Sequence, residues 1–236
     1  MNSEKLSKRL ETVAKYVPVG ARLADIGSDH AYLPCYLVSN GLISHAIAGE
    51  VVEGPYQSAK RHVEELGLFQ KILVRKGDGL EVIQPGEVDI ISIAGMGGSL
   101  IASILEQGKE KLEQVKRLVL QPNISAISIR EWLLDNGWGL IIEEIIEEDD
   151  KIYEILVAER GNEHEPYQNN LEQGLLLGPY LLQENNPVFR KKWQMEKETW
   201  LKILNQLQHA SPSSQNEDKR QELLKKIKLV EEILEK

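Results

Sequence analysis

The chain has 236 residues, and 28 lysines and arginines against 37 aspartates and glutamates give a formal net charge of −9. With 42% hydrophobic and 28% charged residues it is too apolar for a disordered protein and has no run near the ~20 apolar residues of a membrane span. One cysteine, Cys35, excludes an internal disulfide and a multi-cysteine metal site.

The N-terminal stretch MNSEKLSKRL lacks the apolar core of a secretion signal, which points to the cytoplasm. Basic residues gather over the first 22 positions at Lys5, Lys8, Arg9, Lys15 and Arg22. Such a run is either a solvated helix face or a local patch for a polyanion, and an acidic total does not exclude the second.

From Arg22 to Glu159 short β-rich runs alternate with helical stretches. The strands are expected at Arg22–Ile26, Ala46–Glu50, Ile72–Arg75, Val88–Ala94 and Arg117–Gln121. Helical patterns lie near Tyr32–Asn40, Pro55–Leu66, Ser99–Gly108 and Ile127–Asn136. This alternation predicts right-handed βαβ crossovers and a mostly parallel sheet. Runs such as IISIA and LVL are apolar on both faces, as strands covered on each side must be.

Gly139–Ile146 and Ile152–Glu159 are β-rich but separated only by Glu147–Lys151, so they are expected to form an antiparallel hairpin. A parallel sheet closed by one reversed strand distinguishes class I methyltransferases from nicotinamide-binding Rossmann domains. A hairpin on another α/β fold is the alternative.

After Gly161 the composition turns to Gln, Asn, Lys, Glu and Leu. Trp193, Trp200, Leu204 and Leu207 share one helical face, and Leu223, Ile227, Val230 and Leu234 repeat as an a/d seam. His209–Asp218 between them is a polar break containing Pro212. Two antiparallel helices packed as a short coiled coil are expected, with a second basic cluster at Arg190, Lys191, Lys192 and Lys197. The division expected is 1–162 for the α/β domain and 163–236 for the helical one.

The candidate chemistry lies at the strand ends. Ala24-Asp25-Ile26-Gly27-Ser28-Asp29-His30 ends the first strand and opens a helix. Gly27 allows close backbone approach, and the helix start offers free N–H groups. The dinucleotide fingerprint needs three glycines, and Asp29 stands where the second would be. A carboxylate there opposes a pyrophosphate but suits a cation. Asp25 with Asp29 would complement the sulfonium and ammonium of S-adenosylmethionine, which is favoured over NAD or ATP.

Glu50 ends the second strand, where an acid accepts hydrogen bonds from both ribose hydroxyls. Asp78, in Gly77-Asp78-Gly79, is placed to accept from an adenine amino group, with Gly79 leaving room for the ring. Singly, each acid is more often a turn residue; jointly they lie on the edge where open α/β sheets bind ligands. After the fourth strand come Ala94, Gly95, Met96 and Gly97: a wall beside the transfer position, or a strand-to-helix turn with Ser99 as helix cap. Gln121-Pro122-Asn123 ends the fifth strand and offers amides that can hold a planar base. His30 is a cap or substrate contact, and no metal-ligand spacing, Ser/His/Asp set or P-loop is present, so no metal is expected.

Taken together, ADIGSDHAYLP, IAGEVVEGPYQSA, GDGL, IAGMGG, LQPN, IREWL and EEDDKIYEILVAE, in order from Ala24 to Glu159, closely resemble the bacterial TrmK family. These are tRNA (adenine-N1)-methyltransferases acting on the adenine at tRNA position 22, with a class I (Rossmann-like) domain followed by a coiled-coil region. The resemblance implies that Gly27, Asp29 and His30 line the methionine end of S-adenosylmethionine and that Glu50 binds its ribose. It also implies that Asp78 and Gly79 hold adenine and that Ala94, Gly95, Met96 and Gly97 wall the sulfonium. Asn123, Gln121 and Asp29 are the catalytic candidates, the first two positioning the target base. tRNA is the expected partner, gripped by the basic first helix and the C-terminal helices, and a monomer is expected. Two other readings stay open: a methyltransferase for small molecules or proteins, and an RNA-binding protein with a vestigial pocket.

Overall fold

The computed structural model describes residues 5–209 and 214–235. The chain divides between Pro166 and Tyr167 into two compact units.

The first unit is built on seven strands: β1 (Arg22–Ile26), β2 (His45–Glu50), β3 (Ile72–Lys76), β4 (Ile90–Gly97), β5 (Arg117–Ile124), β6 (Trp138–Glu148) and β7 (Lys151–Arg160). They lie in the order β3-β2-β1-β4-β5-β7-β6. β1 to β5 are parallel, and β7 runs antiparallel to both β5 and β6. The sheet order reverses beside β1, so the carboxyl ends of β1, β2 and β4 border the crevice where such sheets bind ligands.

Helices α1 (Lys8–Lys15), α2 (Tyr32–Ser39) and α3 (Glu53–Glu65) share a core with one face of the sheet, including Leu23, Ala46, Ile90, Val119 and Val157. α4 (Gly98–Gln107) and α5 (Ala126–Asp135) pack on each other, α4 also meeting β4 and β5 and α5 meeting β6. Strand side chains alternate between faces, which explains the apolar runs in the sequence.

Several boundaries differ from the sequence reading, and the largest differences have a physical reason. β4 and β5 run on through Gly97 and Ile124 because the pairing continues past the expected ends, Met96 opposite Pro122 and Gly97 opposite Ile124, with bulges that absorb the irregularity. The hairpin link shrinks from five residues to two: Asp149 and Asp150 both take positive φ, +50° and +59°, the conformation that lets two residues join twisted strands. α3 starts two residues before Pro55, whose missing N–H falls in the first turn, where no intrahelical bond is lost.

In the second unit α6 (Leu171–Leu177) and α7 (Pro179–Glu184), which the sequence reading did not separate, precede α8 (Pro187–Gln208) and α9 (Ser214–Leu234). α8 and α9 are antiparallel: an Arg190 guanidinium at the start of α8 donates to the Leu234 carbonyl at the end of α9. Leu204, Leu223 and Ile227 form the seam, with Trp200 and Leu207 packed against it. The polar break is shorter than His209–Asp218, because Ser214–Asp218 already belong to α9. Its residues 210–213 lie outside the described residues.

Candidate active site

The turn after β1 is tightly constrained. Gly27, Asp29 and Ala31 all have positive φ, +69°, +54° and +55°. Left-handed Asp and Ala residues two positions apart are strained and persist only where their surroundings hold them. Here the N–H groups of Gly27 and Ser28 donate to the Gly49 carbonyl at 3.0 and 3.1 Å, and that of Asp29 donates to Glu50 Oε1 at 2.5 Å. From the other side His62 Nδ1 lies 2.6 Å from the His30 carbonyl, and Tyr32 packs edge-on against the His62 ring. The carboxylate of Asp29 remains exposed, 3.6 Å from His30 Nε2.

Glu50, at the end of β2, is buried, and burial raises its pKa although the Asp29 N–H opposes this. Asp78 sits exposed past β3, its N–H donating to Glu81 at 3.2 Å where a short 3-10 turn begins. The carboxylates of Asp29, Glu50 and Asp78 thus stand at neighbouring strand ends.

Asp25 does not join them. Its two oxygens accept from Ser28 Oγ and Ser92 Oγ, each at 2.6 Å, and it is buried beside β4. Burial pushes its pKa up to about 6 against the pull of the two hydroxyls. The expectation that Asp25 faces a cation is corrected: both its oxygens brace the β1 turn against β4. Ser92, partner to Asp25 by strand register, went unnoticed because it sits inside the apolar run IISIA.

Gly79 is required by more than a ligand. A Cβ there would lie 3.0 Å from Ile104 on α4, and its φ is +49°. Helix packing and backbone conformation are by themselves enough to call for this glycine. Met96 crosses to the β1 turn, its methyl occupying the place a side chain on Gly27 would need. α4 begins at Gly98, with Gly97 as its cap residue, and the Ser99 hydroxyl lies 3.1 Å from that of Ser128, so Ser99 does not cap it. Ala94 is half-buried and Gly95, with φ +81°, is exposed at the edge.

Gln121 is fully buried, and both ends of its amide are used. Its Oε1 accepts from Arg9 Nη1 at 2.6 Å and from the Gly95 N–H at 3.0 Å; its Nε2 donates to the Pro122 carbonyl at 2.8 Å and to Asn123 Oδ1 at 3.3 Å. It therefore cannot touch a base, which corrects that expectation. Asn123 is exposed, and its Nδ2 donates to the Gly95 carbonyl at 2.8 Å.

The basic residues of α1 and the start of β1 are partly committed to their own domain. Lys15 pairs with Glu144 at 2.8 Å, Arg22 with Asp89 at 3.0 Å, and Lys8 Nζ donates to the Glu147 carbonyl at 3.1 Å. In the second unit Lys197 lies 3.5 Å from Glu231. Exposed pairs of this kind are weak and leave the lysines exchangeable with phosphate.

The residues present fit S-adenosylmethionine. An exposed carboxylate at Asp29, an acid facing the second strand's end, an acceptor at Asp78 and glycine backbone at Gly27 and Gly95 match a ligand that is cationic at one end and carries a diol and a purine. Among the described residues no group of three or more His, Cys, Asp or Glu is placed to hold a metal ion.

Comparison with known proteins gives a consistent answer. The family model described as "TrmK: tRNA (adenine(22)-N(1))-methyltransferase" matches residues 23–232. The tRNA (adenine(22)-N(1))-methyltransferase of Bacillus subtilis (strain 168) is 55% identical over 236 residues, 100% of this chain and 99% of the relative. The crystal structure of the B. subtilis M1A22 tRNA methyltransferase TrmK superposes with a TM-score of 0.93 at 54% identity, covering 98% of this chain and 99% of that one. Streptococcus pneumoniae Sp1610, solved in complex with S-adenosyl-L-methionine, gives 0.86 at 47% identity, covering 98% and 100%.

Proposed function

The chain belongs to the TrmK family of tRNA (adenine(22)-N(1))-methyltransferases, and from that premise we propose how its own residues carry the reaction. The protein transfers a methyl group from S-adenosylmethionine to N1 of the adenine at position 22 of tRNA. The observation that carries the site assignment is the pairing of the Asp29 turn with the Glu50 carboxylate at the ends of β1 and β2.

In this reading Glu50 accepts from the ribose hydroxyls while its other bond holds the turn. Asp29 faces the cationic methionine end, with His30 beside it, and Asp78 takes the adenine amino group. Gly95, Met96 and Gly97 border the place of transfer, and Asn123 meets the target base. Bound S-adenosylmethionine supplies an electrophilic methyl on a sulfonium. Adenine N1 has an in-plane lone pair and no proton to lose, so the chain needs no strong general base. What its residues supply is orientation: holding N1 in line with the carbon–sulfur bond that breaks as the nitrogen–carbon bond forms.

N1 lies on the Watson–Crick edge, so the base must leave its pairing to reach the edge of the sheet. The helical unit from Tyr167 is proposed to contact tRNA, together with the lysines of α1. All the residues named for chemistry come from one unit of one chain, which supports action as a monomer. The cytoplasm is the proposed setting, where tRNA is met; among the described residues no helix is long and apolar enough to cross a membrane.

The test is to incubate the protein with unmodified tRNA and methyl-labelled S-adenosylmethionine and identify the labelled nucleoside after digestion. 1-Methyladenosine is expected; label in 6-methyladenosine, or none in RNA, overturns the reading.

A further inference from the structure

We propose that Arg9 is a positioning residue for methyl transfer, acting through Gln121 to set how the Asn123 amide is presented to the target base. The inference rests on the reaction assigned above and concerns a residue on α1, distant in sequence from every strand-end motif.

The first helix is held in place from outside. Glu148, at the end of β6, accepts from the N–H groups of Lys8 at 2.6 Å and Arg9 at 3.1 Å, while the Ser7 hydroxyl accepts from that of Leu10. Three N–H groups that a helix start leaves without partners are thereby satisfied, two of them by the hairpin. From that anchored start the Arg9 guanidinium passes over the Tyr153 ring, 5.6 Å from its centre, and reaches Gln121 Oε1 at 2.6 Å.

A guanidinium can only donate, so this bond fixes which end of the Gln121 amide faces it. The nitrogen end must then face Asn123 Oδ1, and the Asn123 nitrogen faces the Gly95 carbonyl. Gln121, Asn123 and Gly95 close a ring of bonds, since the Gly95 N–H returns to Gln121 Oε1. Without Arg9 the amide loses its shortest bond, and its oxygen keeps only the return bond from a glycine at φ +81° in a bulged stretch, while its nitrogen keeps the Pro122 carbonyl at 2.8 Å. The direction matters because Asn123 retains one oxygen lone pair and one N–H. An Asn amide complements the N6 donor and N7 acceptor of adenine, a pairing that leaves N1 free.

The experiment compares Arg9→Ala, Arg9→Lys, Asn123→Ala and the Arg9→Ala/Asn123→Ala double variant, measuring kcat and KM for tRNA and cofactor affinity by calorimetry. Arg9→Ala is expected to lower kcat about 10- to 100-fold, the scale of a small misplacement, with cofactor affinity unchanged, and Arg9→Lys to recover part of it. The double variant should be no slower than Asn123→Ala alone. A rise in KM with kcat preserved would make Arg9 a phosphate contact and overturn the proposal, as would multiplicative losses in the double variant. Should Arg9→Ala fail to fold, Gln121→Glu keeps the acceptor for Arg9 but loses the donor to Asn123; the same selective loss of kcat is expected, and a wild-type kcat overturns the proposal. Parallel identification of the wild-type product keeps a failure of the underlying assignment distinct.

Discussion

The backbone N–H of Asp29 donates to the side chain of Glu50 at 2.5 Å. One carboxylate therefore does two things: it holds the strained turn after β1 and presents an acceptor to the ribose. Glu50→Gln keeps an oxygen for the turn but loses the charge, and Glu50→Ala loses both. Hydrogen bonds to a charged group contribute about 1.5–3 kcal/mol, and each 1.4 kcal/mol is tenfold in affinity. Calorimetry should find S-adenosylmethionine bound about 10-fold more weakly by the Gln variant and at least about 100-fold more weakly by the Ala variant. Equal affinities for the two variants would remove the turn-holding role.

Asp25 gives a pH signature of stability. Its folded pKa, about 6, lies above the ordinary carboxylate value, so the native state binds more protons than the unfolded chain between the two values. The stability it contributes is present at acid pH and is lost as pH rises through about 6. In Asp25→Asn this loss is absent, because the amide has no charge to desolvate. Melting temperatures of the variant relative to wild type should therefore rise by a few degrees between pH 5 and pH 8. A difference that stays constant contradicts the assignment.

Gly27 and Met96 are coupled. An alanine at position 27 would overlap the Met96 methyl and sit at φ +69°. Gly27→Ala is expected to weaken cofactor binding at least about 10-fold and to lower the melting temperature. Adding Met96→Ala should restore part of the stability, leaving the backbone strain. If the second change restores nothing, the overlap is not what the alanine meets.

Away from the site, Arg130 on α5 is fully buried between Glu143 of β6 and Glu154 of β7, with contacts of 2.6 and 2.8 Å. Arg130→Met leaves two buried carboxylates and should cost about 3–5 kcal/mol. Denaturant unfolding should show the loss growing from pH 5 to pH 8, since the orphaned acids prefer to be protonated. Replacing all three residues with apolar ones should recover much of it. A loss that is the same at both pH values would mean the pair does not carry the effect.

The parallel strands and the antiparallel hairpin were legible because apolar runs and helical spacing are local signals. So were Glu50 and Asp78, which fall at strand ends that the sequence marks. What escaped was long-range. Nothing near Arg9 tells that it meets Gln121, 112 residues away, and nothing near Glu148 marks it as the cap of α1. Asp25 and Gln121 looked like ligand-facing groups because composition cannot say which polar side chains the fold satisfies internally. The packing at Gly79 escaped for a related reason: its neighbour is Ile104, on a helix two elements later in the chain.

Delivery of a methyl group by the strand-end residues to one nitrogen of one nucleotide is the proposed reaction. It is tested most directly by methylating two transcripts of the same tRNA, one with adenine at position 22 and one with guanine there. Adenine 22 should gain a modification that stops reverse transcription, as a methyl on the Watson–Crick edge must, and the guanine transcript should take up no methyl. Equal incorporation into both transcripts would contradict the account.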